Sequence, residues 1–191
     1  MKEFVEKSFD EISENFIRIK TLAPVVSEIA QVWIEALQNG NKVIFCGNGG
    51  SAADSQHLSA ELMGRYKFDR DPLSALSLTT DTSALTAIGN DYGYENVFSR
   101  PLKGIGKKGD VLVGISTSGN SRNVLEAFKT AKAMGIRTVA FTGRGGGKMK
   151  EDADICLNVP AAATNSIQEM HIACGHIICG IVEAAMFPDK T

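Results

Sequence analysis

KVIFCGNGGSAADSQHLSAEL, residues 42–62, ends an apolar run at a glycine cluster and at once begins a stretch of helical character. KVIFC is short, β-rich and unalternated, as expected of a strand covered on both faces of a parallel sheet. Gly47-Asn48-Gly49-Gly50-Ser51 then turns the chain from strand to helix. Glycines there let backbone amides approach a ligand, and the helix start adds unpaired N–H groups and a positive dipole end. No GK[ST] follows, so this is not a Walker loop, and the glycine spacing is not GxGxxG. A purely structural turn, with Ser51 as N-cap, fits the same residues.

The alternation continues outward. Further short apolar runs lie at 75–78, 111–115, 138–142 and 155–159. The intervals 51–66, 81–106, 121–134 and 147–152 can hold helices or single turns, and a final helix spans about 166–186. Ahead of the first run, Phe4, Val5, Phe9, Ile12, Phe16, Ile17 and Ile19 repeat at largely helical spacing. Pro24 ends that helix or opens a second over 25–37. The expected fold is α/β: a doubly wound, five-stranded parallel sheet with two N-terminal helices and a long C-terminal helix. Residues 1–191 form one domain in this reading, with 1–40 as a helical arm.

With 191 residues the chain can bury one ample core. A net charge of −2 gives no support to a nucleic-acid groove or an anionic membrane surface. Cys46, Cys156, Cys174 and Cys179 form no CxxC, which predicts free, mostly buried thiols in a reducing cytoplasm. The N-terminus is amphipathic and acidic, without a signal-peptide core. Segment 172–187 is apolar but carries His176 and Glu183, and its sixteen residues fall short of a bilayer span. It reads as a buried core or subunit-interface helix.

A second loop repeats the first arrangement. VLVGISTSGNSRNV, residues 111–124, places Ser116, Thr117, Ser118, Gly119, Asn120 and Ser121 between a strand and a helix. Its hydroxyls suit a phosphate or polyol held without lysine, and two such loops can face each other at a switch point. Ser, Asn and Gly also simply make good turns.

The chain has only three histidines. His57 and Glu61, at i and i+4, share a helix face and can bind a metal, pair an acid with a base, or bond each other at the surface. His176 sits in an apolar run, where a partnered core histidine is the usual case, and His171 reads as a polar-face residue. Gln168 and His176 lie about 12 Å apart along a straight helix. They meet at one site only if the helix bends or two subunits contribute.

CGNGGSAADSQHLSAEL, IGNDYGYENVFSR, GISTSGNS and IQEMHI occur in the order seen in bacterial phosphoheptose isomerases, which are SIS (sugar isomerase) domains, and the chain resembles that family over nearly its whole length. The resemblance implies isomerisation of sedoheptulose 7-phosphate to D-glycero-D-manno-heptose 7-phosphate for surface polysaccharide. It implies substrate contacts from Asn48, Gly49, Gly50, Ser51, Ser116, Thr117, Ser118, Ser121 and Gln168, and sugar-hydroxyl contacts from Asn90 and Asp91. Glu61 and His176 resemble the family's acid/base pair. Some members bind zinc with the residues matching His57, Glu61, Gln168 and His176, and members are typically homotetramers with active sites near subunit contacts. The family often has arginine where this chain has Ser166. Two alternatives remain: a non-catalytic SIS protein that binds a replication initiator or senses sugar phosphates, and an isomerase of another sugar phosphate.

Overall fold

Val43 and Phe45 face one side of strand β1 (Val43–Gly47) and Ile44 and Cys46 the other, and each is fully buried in the computed structural model, which describes residues 1–190. Strands β2 (Ala75–Ser77), β3 (Val111–Ser116), β4 (Arg137–Thr142) and β5 (Ile155–Asn158) join it in the order β2-β1-β3-β4-β5, all parallel. The chain therefore steps outward from β1 to β2, then returns to the other side of β1 to begin β3. The crevice at that reversal opens between β1 and β3, whose ends pair at Gly47 and Ile115.

One face of the sheet is covered by α2 (Ala23–Gln38), α3 (Gly50–Met63) and α8 (Thr164–Met186). The other is covered by α5 (Ser99–Ile105), α6 (Arg122–Ala133) and α7 (Met149–Asp152). Pro24 stands in the first turn of α2, where its missing N–H costs nothing. The interval 81–106 holds two helices and a turn, as its residues allow. Helix α4 (Thr82–Tyr92), capped by Asp81, stops at Gly93 with φ of 86°, and a 3₁₀ turn at Tyr94–Asn96 leads into α5. Helix α1 (Lys2–Arg18) buries only Asn15, leaving Phe4, Phe9 and Ile17 more than half exposed.

Helix α8 has 23 residues and by length and composition could cross a membrane. Its packing is that of a core helix: Ile167, Met170, Cys174, Ile178 and Val182 are buried in the cluster beneath the sheet. Three of the cysteines are buried as expected and Cys156 is half-buried, all of them free thiols.

The two histidines of α8 exchange their expected environments. His171 is 1% exposed, tilted against Phe141, with neither ring nitrogen in a hydrogen bond. His176 is half-buried and faces His57. The helix is apolar nearly all round, so periodicity does not say which histidine turns inward. Burial lowers His171 from 6.5 to about 4. The unfolded chain therefore binds the extra proton between those values, and stability present above pH 6.5 is lost as pH falls toward 4. The full loss is of order ~3 kcal/mol. Urea titrations at pH 7 and pH 4.5 are expected to show this difference, and His171→Leu to reduce it.

Candidate active site

Gly47 ends β1 and Gly50 begins α3. Gly49 caps the helix at φ 56° and ψ −123°, a conformation that needs glycine. Ser51 is not the cap: it lies inside the helix, buried, with its carbonyl accepting from the Ser55 hydroxyl at 2.8 Å. Asn48 projects across the crevice. It exchanges two hydrogen bonds with Asn123 at 2.9 and 2.8 Å, and its Oδ1 also accepts from the Tyr94 hydroxyl at 3.1 Å. Asn123 is buried in the first turn of α6, so this link ties the glycine loop to the serine loop.

In the serine loop the Ser116 hydroxyl lies 2.8 Å from that of Ser121 and 3.4 Å from that of Ser118. Ser116 is buried, while Thr117 and Ser121 are half-exposed and Ser118 exposed. The loop turns at Gly119, φ 64°, where a Cβ would strike the Gly146 carbonyl. Its Gly119 carbonyl accepts from Met149 N–H at 3.0 Å and its Asn120 side chain from Lys148 N–H at 3.2 Å. The hydroxyls therefore converge on a rigid seat at the positive end of α6.

A separate cluster lies at the far end of α3. His57 Nε2 is 2.8 Å from His176 Nε2 and 3.2 Å from Glu61 Oε1, and donor atoms of all three lie within 4.8 Å of one another. Two imidazoles and a carboxylate are a donor set suited to zinc, with room for an open coordination position. The Tyr66 ring stacks on His176 at 5.8 Å.

Gln168 is not in this cluster. It packs on Gly50 at the opposite end of α3, beside Asp54. Helices α3 and α8 run side by side in the same direction: Gly50 meets Gln168, Leu58 meets Gly175, and His57 meets His176. Helix α8 is unbroken, and within one chain Gln168 and His176 meet different parts of α3. Nor does α3 deliver Glu61 to its own glycine loop, since eleven residues of helix separate Gly50 from Glu61, about 16 Å.

Asn90 and Asp91 end α4, exposed and bonded to each other at 2.8 Å. It is Tyr94 that reaches the first loop from this side. Asp54 is the other group the sequence did not single out. Burial raises its carboxyl to about 6, against the lowering influence of Gln168 and the charge of His57, and its Oδ2 is buried without a partner.

The sheet order and the paired loops at its reversal define a doubly wound α/β domain with an anion-suited crevice at its switch point, and residues 8–143 match the family described as SIS domain. The chain is 57% identical to the phosphoheptose isomerase of Akkermansia muciniphila, over 98% of this chain and 99% of that protein. It is 53% identical to that of Sulfurimonas denitrificans, over 99% and 96%. The structure of phosphoheptose isomerase GmhA from Neisseria gonorrhoeae superposes with a TM-score of 0.91 at 45% identity, covering 96% of this chain and 98% of that one. The chain belongs to the phosphoheptose isomerase family of SIS-domain proteins.

Proposed function

We propose that this isomerase converts sedoheptulose 7-phosphate to D-glycero-D-manno-heptose 7-phosphate through an enediol, in the cytoplasm, as a step toward a surface polysaccharide. The observation that carries the chemistry is the His57–Glu61–His176 cluster. Family membership without such a cluster would support binding alone, so the initiator-binding alternative is not favoured.

Ketose-to-aldose conversion moves one proton from C1 to C2 and another between the two oxygens. The Glu61 carboxylate, its side chain 20% exposed and 3.2 Å from His57, takes the carbon proton from C1, exchanges it with solvent and delivers a proton to C2. His176 moves the oxygen proton, its ring set by His57 and Tyr66. Zinc held by His57, Glu61 and His176 would supply Lewis-acid polarisation of the carbonyl. Ser116, Thr117, Ser118 and Ser121 hold the phosphate, with Asn48, Gly49, Gly50, Asn90 and Asp91 toward the sugar. Incubation with sedoheptulose 7-phosphate, with and without a chelator, tests this reading through the aldose formed and the metal requirement.

About 16 Å of α3 separates Gly50 from Glu61, and Gln168 and His176 meet different parts of that helix, which favours a site shared between copies. A second copy therefore completes each site, bringing its Glu61 and His176 to the first copy's loops and Gln168. Exposed apolar residues supply the contact: Ile177 and Ile181 on α8, and Phe4, Phe9 and Ile17 on α1. The expected assembly is a homotetramer with residues 1–40 as an arm in its interfaces. Light scattering is expected to give about four times the 20.4 kDa chain mass at micromolar concentration; a monomer would sink the shared site.

Ser116→Ala combined with Ser118→Ala removes donors that hold phosphate in ground and transition states alike. KM is expected to rise by about 10-fold or more with kcat much less affected. An unchanged KM would make the loop a turn and nothing more.

A further inference from the structure

We propose that the buried pair Arg70–Glu183 is a positioning device that holds the end of α3 against α8 so that Glu61, His57 and His176 meet. This rests on the catalytic reading of that cluster. Arg70 lies beyond α3, its side chain 0% exposed and that of Glu183 1%, with Nε and Oε1 3.0 Å apart. Its Nη2 donates to the Glu61 carbonyl at 2.7 Å, and its Nη1 to those of Leu62 at 2.7 Å and Gly64 at 3.0 Å. These are carbonyls of the last turn of α3 and its C-cap, which a helix end leaves without partners inside the helix and which carry its negative dipole end. One guanidinium thus grips the backbone of Glu61 itself.

Glu183 completes the grip from α8. Its carboxylate accepts from Tyr66 N–H at 2.9 Å and Lys67 N–H at 2.8 Å, besides Arg70. Burial alone would raise this carboxyl, but the Lys67 and Tyr66 amides and the Arg70 guanidinium outweigh it and hold it below the usual range. The residue so anchored, Tyr66, is the one whose ring stacks on His176. The pair thus reaches two members of the cluster by separate routes: Glu61 through its carbonyl, and His176 through Tyr66. Buried ion pairs often add little net stability over well-packed apolar residues. A misplacement of about 1 Å at reacting groups can cost about 10² in rate.

Arg70→Lys keeps the charge and removes the planar fork. It is expected to lower kcat by about 10- to 100-fold with KM within about threefold. In spectra of ¹⁵N-histidine-labelled protein, the ring signals of His57 and His176 are expected to shift while that of His171 stays. Added to Glu61→Gln, Arg70→Lys is expected to cost less than about twofold more, because both changes act on one group. Wild-type kcat with unmoved ring signals in the folded variant would overturn the proposal, as would full additivity with Glu61→Gln. Shifted ring signals together with a fully active Glu61→Gln would instead sink the catalytic reading and leave the positioning intact. If Arg70→Lys does not fold, Glu183→Gln is read in the same way.

Discussion

Glu61→Gln is expected to lower kcat by about 10²–10⁴ and to leave KM within about threefold. Glutamine keeps the shape of the side chain and its reach to His57, 3.2 Å away, but cannot take a proton from carbon at neutral pH. The phosphate and sugar contacts assigned to the loops are untouched, so ground-state binding persists. A loss in kcat and kcat/KM together, with KM unmoved, would mark an interaction made only in the transition state. Near-normal turnover would remove the acid/base role and leave Glu61 as a structural partner of His57.

Two impaired variants mixed as one assembly are expected to recover activity. Glu61→Gln chains carry intact loops, and Ser116→Ala/Ser118→Ala chains carry an intact Glu61. If each site takes its loops from one copy and its acid/base cluster from another, random reassembly leaves about a quarter of the sites whole. Unfolding and refolding the two together, then assaying far below the loop variant's KM, is expected to raise activity well above the sum of the separately refolded proteins. No recovery from a mixed tetramer would place both halves of the site in one chain, against the about 16 Å of α3 between them.

Much of the fold was legible because strand burial leaves a plain signal. All five short apolar runs are strands, with ends displaced by a residue or so, since two-sided burial of residues such as Ile44 and Phe45 forces uninterrupted apolar sequence. Gly93 was harder to place, because a glycine within a helical pattern signals a break only when its φ is positive. The loops could be read from their glycines and serines, and the His57–Glu61 pair from its spacing.

What joins them could not. Asn48 bonds Asn123 across 75 residues of chain, and Arg70 bonds Glu183 across 113. No local pattern encodes partners that the sheet and its helices bring together. The inward turn of His171 was hidden for a different reason: in a helix apolar on most sides, the buried face is chosen by the sheet beneath it.

Sedoheptulose 7-phosphate incubated with the purified protein in D₂O, its products resolved by NMR, tests the central claim most directly. The account predicts D-glycero-D-manno-heptose 7-phosphate carrying deuterium at C2, delivered by a base that exchanges with solvent, and loss of both product and label with Glu61→Gln. Absence of the aldose from folded, metal-replete protein would contradict it, and so would aldose formed without any deuterium at carbon.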